Sequence, residues 1–435
     1  MTGSTMQYIF CCLLLLQLLG CQPKVYLMPV PVGIEKESSF FSLSEENTDE
    51  NYLYTLYGTN RVPTGKTKSS VGYSIFPSGK LELGFLVFSV GYEGMSWDDL
   101  YRESVKMDRE DDLLLSLEYV RPMVEYDKYG RVSSSTEKAA GFFDTINATL
   151  KQSFDKDITV YVHGANSNFY RATAQGAQLF HFTGHKSIIL TFSWPSAENL
   201  LKYKTDVLHA KKTITAFTKM LDILARRTDA RNINIIAYSA GAQVVAPGLA
   251  SLHEIYPELT SEEILQKLRI GEVYFAAPDT AFQPFVERYL NFRDIVGRTT
   301  IALNRNDRIL LLSALHNGAS RLGRPDVKDL TEKEVLIILG ALMSADLDVI
   351  DVGASKALQV GGGHDYWYNN PWVSSDLLML LLFNASPEER GLEPAYNDAG
   401  AVLFHFPDNY AEIIPGLLWQ QKKMMQQIFR QEEEQ

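Results

Sequence analysis

The middle of the chain alternates short apolar runs with longer amphipathic segments. Five runs are rich in β-branched residues and end at turn residues: Ile158–Val162, Ser187–Phe192, Ile233–Tyr238, Gly271–Ala276 and Thr299–Leu303. Strands that are apolar on both faces are typical of a parallel sheet covered by helices on either side. The segments between them have helical spacing: Ile214, Phe217, Leu221 and Leu224 recur every three or four residues. This alternation predicts βαβ units and a doubly wound α/β domain.

The flanking parts of the chain add further elements to this prediction. Tyr52–Gly58 and Leu81–Val90 have the composition of strands, and Leu347–Val352 is predicted to be the last strand. Asp111–Tyr119 is predicted as a helix. At the end of the chain, residues 411–435 contain apolar positions at helical spacing, which predicts an amphipathic helix packed on the domain.

The N-terminal residues have the features of an export signal. An apolar run from Tyr8 to Gly20 is too short to span a bilayer and suits the core of a signal peptide. It ends in Leu18-Leu19-Gly20-Cys21, which resembles the lipobox of bacterial lipoproteins. We therefore expect a signal peptide over 1–20, lipidation of Cys21, a tether over 21–50 and a folded domain over 51–410. An ordinary secretory signal remains the alternative, since no Lys or Arg precedes the apolar run.

Location and partners follow from this interpretation and from the charge. The lipobox resemblance implies a lipid-anchored protein of the bacterial cell envelope, and Gln22 after Cys21 favours the outer membrane if the source is Gram-negative. The net charge of −12 and the lack of a Lys/Arg run argue against a nucleic-acid partner. The three cysteines all lie within the first 21 residues, and the sequence has no HExxH motif. No metal site and no cofactor are therefore expected.

The strongest local signal for chemistry is Ala237-Tyr238-Ser239-Ala240-Gly241. It follows a β-rich run and precedes a segment with helical composition. Small residues around a serine in this context are typical of a nucleophile elbow, a strained turn that lifts the serine side chain clear of the sheet. We interpret Ser239 as the nucleophile; a serine that only caps the next helix is the alternative.

A second motif, His163-Gly164-Ala165-Asn166, directly follows the run Ile158–Val162. Acyl transfer places negative charge on the former carbonyl oxygen, which must meet preorganised N–H donors. In this fold one donor comes from the residue after the nucleophile, here Ala240, and the other from the loop after an earlier strand. Ala165 is the second predicted donor, and His163 is interpreted as a structural residue of that loop.

In this fold the acid and the catalytic histidine follow the nucleophile along the chain, the acid first. Both are therefore expected after Ser239. His364 lies in the flexible stretch Gly361-Gly362-Gly363-His364, just past the predicted last strand, and is the preferred base. His316 is the second choice. Asp307 follows the run Thr299–Leu303 and is the preferred acid, which would orient the imidazole, with Asp279 as the second choice.

Several longer motifs then point to a known family. YVHGANSNF, ILTFSWPS, NIIAYSAGAQVV, YFAAPD, LNRNDRILLLSALH and GHDYWYNNPWVSSDL occur in this order, preceded by LYGTNR. The chain resembles the α/β-hydrolases of unknown function called DUF900 over roughly residues 52 to 375. The resemblance implies an α/β-hydrolase fold with a triad at Ser239, Asp307 and His364, and it implies no substrate.

The sequence thus predicts a serine hydrolase that cleaves an ester bond through an acyl-enzyme intermediate. Thioester and amide bonds remain open as substrates. The expected substrate is a small molecule or lipid with an acyl group, and the membrane is contacted through the lipid anchor. The competing hypothesis is a non-catalytic envelope protein that keeps the fold for binding or scaffolding.

Overall fold

A computed structural model describes residues 24–36, 51–66, 71–110, 112–153, 155–185, 187–344, 346–358, 360–396 and 400–433. Cys21 and the predicted signal peptide lie outside these residues, so their processing and lipidation stay predictions. Within the described part of the chain, no helix has both the length and the apolar composition needed to cross a membrane.

The described strands form one mixed sheet of eleven strands in the order β10-β11-β9-β8-β7-β6-β4-β5-β1-β2-β3. Their bounds are β1 Tyr52–Lys66, β2 Val71–Val90, β3 Leu115–Tyr126, β4 Ile158–Val162, β5 Ile188–Ser193, β6 Ile233–Tyr238, β7 Ile270–Ala276, β8 Arg298–Leu303, β9 Leu347–Asp351, β10 Glu393–Tyr396 and β11 Val402–His405. Neighbouring strands pair in parallel along the spatial series β1-β5-β4-β6-β7-β8-β9-β11. The pairs that involve β2, β3 and β10, which extend the sheet at its two edges, are antiparallel. The predicted mostly parallel sheet is confirmed.

Helices cover both faces of this sheet. Their bounds are α1 Val32–Lys36, α2 Trp97–Ser104, α3 Thr136–Gln152, α4 Phe169–Phe182, α5 Tyr203–Arg227, α6 Ala242–Ala250, α7 Leu252–Ile255, α8 Ser261–Leu268, α9 Phe282–Phe292, α10 Arg308–Asn317, α11 Glu332–Met343, α12 Tyr366–Asn369, α13 Pro371–Phe383 and α14 Tyr410–Glu433. Successive residues of the central strands enter opposite cores: Ile235 packs on one face of β6, and Ile236 packs on the other. This is why the strands read as continuous apolar runs.

The prediction of a tether over 21–50 is wrong for residues 24–36. Val30, Val32 and Ile34 in this segment are buried and belong to one of the two cores. Tyr26 forms an antiparallel bridge with Leu114, and α1 packs on α13 and α14. Burial of these apolar side chains stabilises the packing of this segment on the domain. The tether prediction considered the many Pro, Ser, Glu and Asn residues over 21–50 and gave too little weight to the apolar ones. Residues 37–50 of the tether lie outside the described part.

Two predicted elements at the sheet edges also differ from the structure. The segment predicted as a helix from Asp111 to Tyr119 contains the start of strand β3, which pairs antiparallel with β2. Backbone hydrogen bonds to β2 stabilise the strand conformation of this segment. Because β2 lies elsewhere in the sequence, the local pattern of residues could not predict this pairing. Leu347–Val352 is not the last strand either, since β11 pairs with β9 and β10 pairs with β11.

Candidate active site

The turn after β6 places Ser239 at the carboxyl edge of the sheet. Ser239 has a φ of 51°, a left-handed backbone conformation that residues other than glycine rarely adopt. It is the first residue of the short 3₁₀ turn Ser239–Gly241, which precedes α6. Two glycines allow this turn to lie against the loop after β4. A Cβ atom on Gly241 would lie 2.5 Å from the carbonyl oxygen of Val162, and one on Gly164 would lie 2.8 Å from Cβ of Ser239. The predicted elbow geometry is therefore present.

A chain of hydrogen bonds links Ser239 to His364 and Asp307. His364 Nε2 lies 2.8 Å from Ser239 Oγ, and His364 Nδ1 lies 2.7 Å from Asp307 Oδ2. Because a carboxylate only accepts, Nδ1 carries the hydrogen, Nε2 accepts, and the serine hydroxyl donates. Asp307 is fully buried, and the His364 side chain is 12% exposed. The three residues that the sequence analysis preferred thus lie together, although they come from three separate loops.

Asn304 positions the loop that carries His364, and the sequence analysis did not identify this role. Its side-chain amide donates to the carbonyl oxygens of Gly361 and Gly363, each at 3.1 Å. In addition, the amide of Arg308 donates to the carbonyl of Gly362 at 3.2 Å. The acid loop after β8 and the histidine loop after β9 are therefore joined by hydrogen bonds. Asn304 is buried, so water does not compete for these bonds.

The second-choice residues are occupied elsewhere. Asp279 receives hydrogen bonds from Arg321 Nε at 2.5 Å and from the hydroxyls of Tyr203 and Ser313, each at 2.7 Å. The His316 ring lies in α10 and contacts the edge of Tyr203, with 6.5 Å between ring centroids. The structure thus brings Asp307 and His364, and neither alternative, into the chain that ends at Ser239.

The loop after β4 is fixed by His163, as the sequence analysis expected. The His163 ring is fully buried and stacks on Trp194, with 5.1 Å between centroids and 4° between the planes. Its Nδ1 lies 2.7 Å from the carbonyl oxygen of Gly164 and its Nε2 3.0 Å from that of Trp194. Trp194 Nε1 donates in turn to the carbonyl of His163 at 2.6 Å. Both ring nitrogens of His163 thus face backbone carbonyls, and the loop lies against Ser239 through Gly164.

Arg61 and Asp206 fix the same loop from the other side. The buried Arg61 guanidinium donates to the carbonyls of Ser167, at 2.9 Å, and Ser196, at 3.2 Å. The Asp206 carboxylate accepts from the backbone amides of Asn166, at 3.3 Å, and Ala197, at 2.8 Å. The only sequence signal for Arg61 was its place at the end of LYGTNR. The backbone amides of Ala165 and Ala240 lie next to Gly164 and Ser239, and their role as oxyanion donors stays a prediction.

The buried state of His163 gives a testable pH dependence. Burial, and secondly the charge of Arg61, lowers the pKa of His163 to about 3. In an unfolded chain the pKa of histidine is about 6.5, so between these values the unfolded chain binds a proton that the folded protein excludes. The stability contribution of His163 is complete above pH ~6.5 and falls by about 1.4 kcal/mol per pH unit as the pH drops toward ~3.

The measurement compares the protein with His163→Gln. We expect the difference in their free energies of unfolding, from urea denaturation at several pH values, to shrink as the pH falls below about 6.5. His181 and His185, whose pKa values burial also lowers, are present in both proteins and cancel. A difference that is independent of pH would show that His163 has the same pKa in the folded and unfolded protein, and would contradict this prediction.

Comparisons with known proteins identify the family of the chain. Residues 138–380 match the family described as "Alpha/beta hydrolase of unknown function (DUF900)". No curated protein sequence matches significantly. Among solved structures, an inhibited esterase B from Lactobacillus rhamnosis aligns over 60% of this chain and 86% of that chain, with 11% identity and a TM-score of 0.25. At that score the likeness carries no argument. Within the described residues, no group of three His, Cys, Asp or Glu side chains is placed to bind a metal ion.

Proposed function

We propose that this chain, which belongs to the DUF900 family of alpha/beta hydrolases, is a serine hydrolase that cleaves esters with Ser239 as nucleophile. The observation that carries the proposal is the continuous hydrogen-bond chain from Ser239 Oγ through His364 to Asp307. The short distances satisfy the geometric requirement for an activated serine, in which the base is within hydrogen-bond reach of the hydroxyl and is itself oriented by a third group.

The proposed reaction begins when Ser239 Oγ attacks the acyl carbonyl carbon and His364 Nε2 takes the hydroxyl proton. Asp307 keeps the imidazole in the required tautomer and stabilises the imidazolium that forms. The amides of Ala240 and Ala165 donate to the oxyanion of the tetrahedral intermediate. His364 then gives the proton to the leaving alcohol, and the acyl group remains on Ser239. Water, activated by His364, attacks this acyl-enzyme and releases the carboxylic acid.

The position of Ser239 supports hydrolysis rather than a purely structural role. The side chain of a helix-capping serine accepts a hydrogen bond from the helix backbone, whereas the recorded hydrogen bond of the Ser239 hydroxyl is to His364 Nε2. Its left-handed backbone conformation costs roughly 1–3 kcal/mol, which is typical of a site where the strain has a function. A non-catalytic scaffold does not require a buried acid, an oriented imidazole and a strained serine that are joined by hydrogen bonds.

Turnover of an activated ester tests the proposal. The purified protein over residues 22–435 is expected to hydrolyse p-nitrophenyl acetate with kcat on the order of 1 s⁻¹ or more. The acyl-enzyme mechanism also predicts an initial burst of p-nitrophenol whenever deacylation is the slower step. The corresponding thioester and anilide, assayed in parallel, define the bond type. A folded protein that hydrolyses none of the three would support the non-catalytic binding or scaffolding alternative.

A further inference from the structure

Helix α10 exposes an unusual amount of apolar surface beside the site. Of its apolar side chains Leu310 is buried, whereas Ile309, Leu311, Leu312 and Leu315 are exposed. A helix that is apolar on most sides is normally buried in a core. Such a surface next to a proposed nucleophile indicates a binding surface for an apolar group.

This helix forms one wall of an open cleft, which we call the α10 groove. Ile309 and Leu312 line it from α10, and Leu201 and Tyr203 line the opposite side. The groove has a volume of about 550 Å³, within the usual range for small-ligand sites. Leu201 is 94% exposed, so its side chain is accessible to an apolar ligand in the groove.

Three polar side chains of the groove, Tyr203, Asp279 and Ser313, are hydrogen-bonded to one another, and Lys204 and His316 complete its polar lining. Asp279 accepts hydrogen bonds from Tyr203, Ser313 and Arg321. Burial, and secondly the charge of Asp279, raises the pKa of Tyr203 to about 12, so its hydroxyl stays a neutral donor to that carboxylate. The hydrogen-bonding atoms of these three side chains are therefore engaged, and most of the groove wall is apolar, including Leu201, Ile309 and Leu312, which suits an alkyl chain.

The groove lies beside the proposed active site. The backbone amide of Asp279 donates to the carbonyl of Ser239 at 2.9 Å. Gln243, in the helix that follows Ser239, donates to the Tyr203 hydroxyl at 3.2 Å. On the other wall, Ile309 is two residues beyond Asp307, whose side chain caps α10. The apolar wall of the groove therefore begins next to the residues that adjoin Ser239 and Asp307.

From this placement, we infer that the α10 groove binds the acyl chain of the ester and gives the enzyme a preference for medium and long acyl chains over acetyl. The inference rests on the proposed function. A fully buried methylene favours binding about fourfold, and an open groove covers only part of each methylene. Across the chain from acetate to octanoate we therefore expect kcat/KM to rise roughly tenfold to a hundredfold.

The test compares p-nitrophenyl octanoate with p-nitrophenyl acetate in two matched variants. Leu312→Gln places a polar amide in the groove, and the ratio of kcat/KM for octanoate to that for acetate is expected to fall about tenfold. Leu336→Gln changes an equally exposed leucine on α11, which does not line the groove, and leaves that ratio unchanged. Dodecanoate binding to Ser239→Ala, measured by calorimetry with and without Leu312→Gln, provides a readout that does not depend on catalysis.

Each outcome decides between the two proposals. Equal kcat/KM for both esters in the parent protein overturns the groove proposal and leaves the hydrolase proposal intact. The same holds if the octanoate-to-acetate ratio falls equally in Leu312→Gln and Leu336→Gln, as expected for a general membrane-binding face. If no ester is hydrolysed but dodecanoate binds in a Leu312-dependent manner, the groove stands as a lipid-binding site and the hydrolase proposal fails. Failure of both hydrolysis and dodecanoate binding overturns both.

Discussion

Alanine at Ser239 or at His364 is expected to lower kcat for ester hydrolysis by about a millionfold. Ser239 supplies the atom that attacks, and His364 is the group within 2.8 Å of it that can take the proton. Because the two act in one step, the double variant is expected to be no slower than either single variant. Steady-state hydrolysis of p-nitrophenyl acetate measures all three.

His405→Ala is the matched control for the histidine. His405 also lies downstream of Ser239, in strand β11 between β10 and β9, and its recorded ring partner is the carbonyl of Phe406 at 3.4 Å. His405 is half-buried and is not part of the hydrogen-bond chain of Ser239, His364 and Asp307, so its replacement should leave kcat within about twofold of the parent value. Full activity in a folded Ser239→Ala protein would exclude Ser239 as the nucleophile.

Asp307→Asn is expected to lower kcat by about ten-thousandfold while leaving the fold intact. An amide at this position can donate to His364 Nδ1, which favours the tautomer whose Nε2 cannot take the serine proton. Asparagine is as good a helix cap as aspartate, so the bond from the Leu310 amide, 2.9 Å in the parent, is retained. The loss of activity then reports on the imidazole and not on α10.

Thermal unfolding and a double variant separate these causes. Asp307→Asn should unfold within a few degrees of the parent, which corresponds to about 1 kcal/mol or less. Adding Asp307→Asn to Ser239→Ala should cause no further loss of kcat. A full additional ten-thousandfold loss in the double variant would mean that Asp307 acts independently of Ser239 and would remove it from the proposed mechanism.

Most of the parallel sheet could be predicted from the sequence because its signals are local. Each central strand is an apolar run that ends at a turn residue, and Ser239 sits directly after one of them with small neighbours. Parallel strands have their carboxyl ends at one edge, so the loops that carry His163, Ser239 and Asp307 necessarily meet there. The order of motifs along the chain then indicated which histidine joins them.

The features that the sequence did not reveal depend on partners distant in the chain. Strand β3 is specified by its pairing with β2, and Val30 and Ile34 are buried by elements that follow them by more than 300 residues. The role of Asn304 depends on a loop 57 residues away, and that of Arg61 on one 106 residues away. The pattern of residues in a single sequence shows the periodicity of a strand or a helix. It does not show which distant residues will contact one another.

Covalent labelling tests the central claim, an activated Ser239, most directly. The protein over residues 22–435 is treated with an alkyl fluorophosphonate, which modifies only activated serines, and the adduct is located by mass spectrometry of peptides. The account predicts one adduct, on Ser239, that is absent in Ser239→Ala and strongly reduced in His364→Ala. An adduct on another residue, or a folded protein that resists both large and small probes, would contradict it.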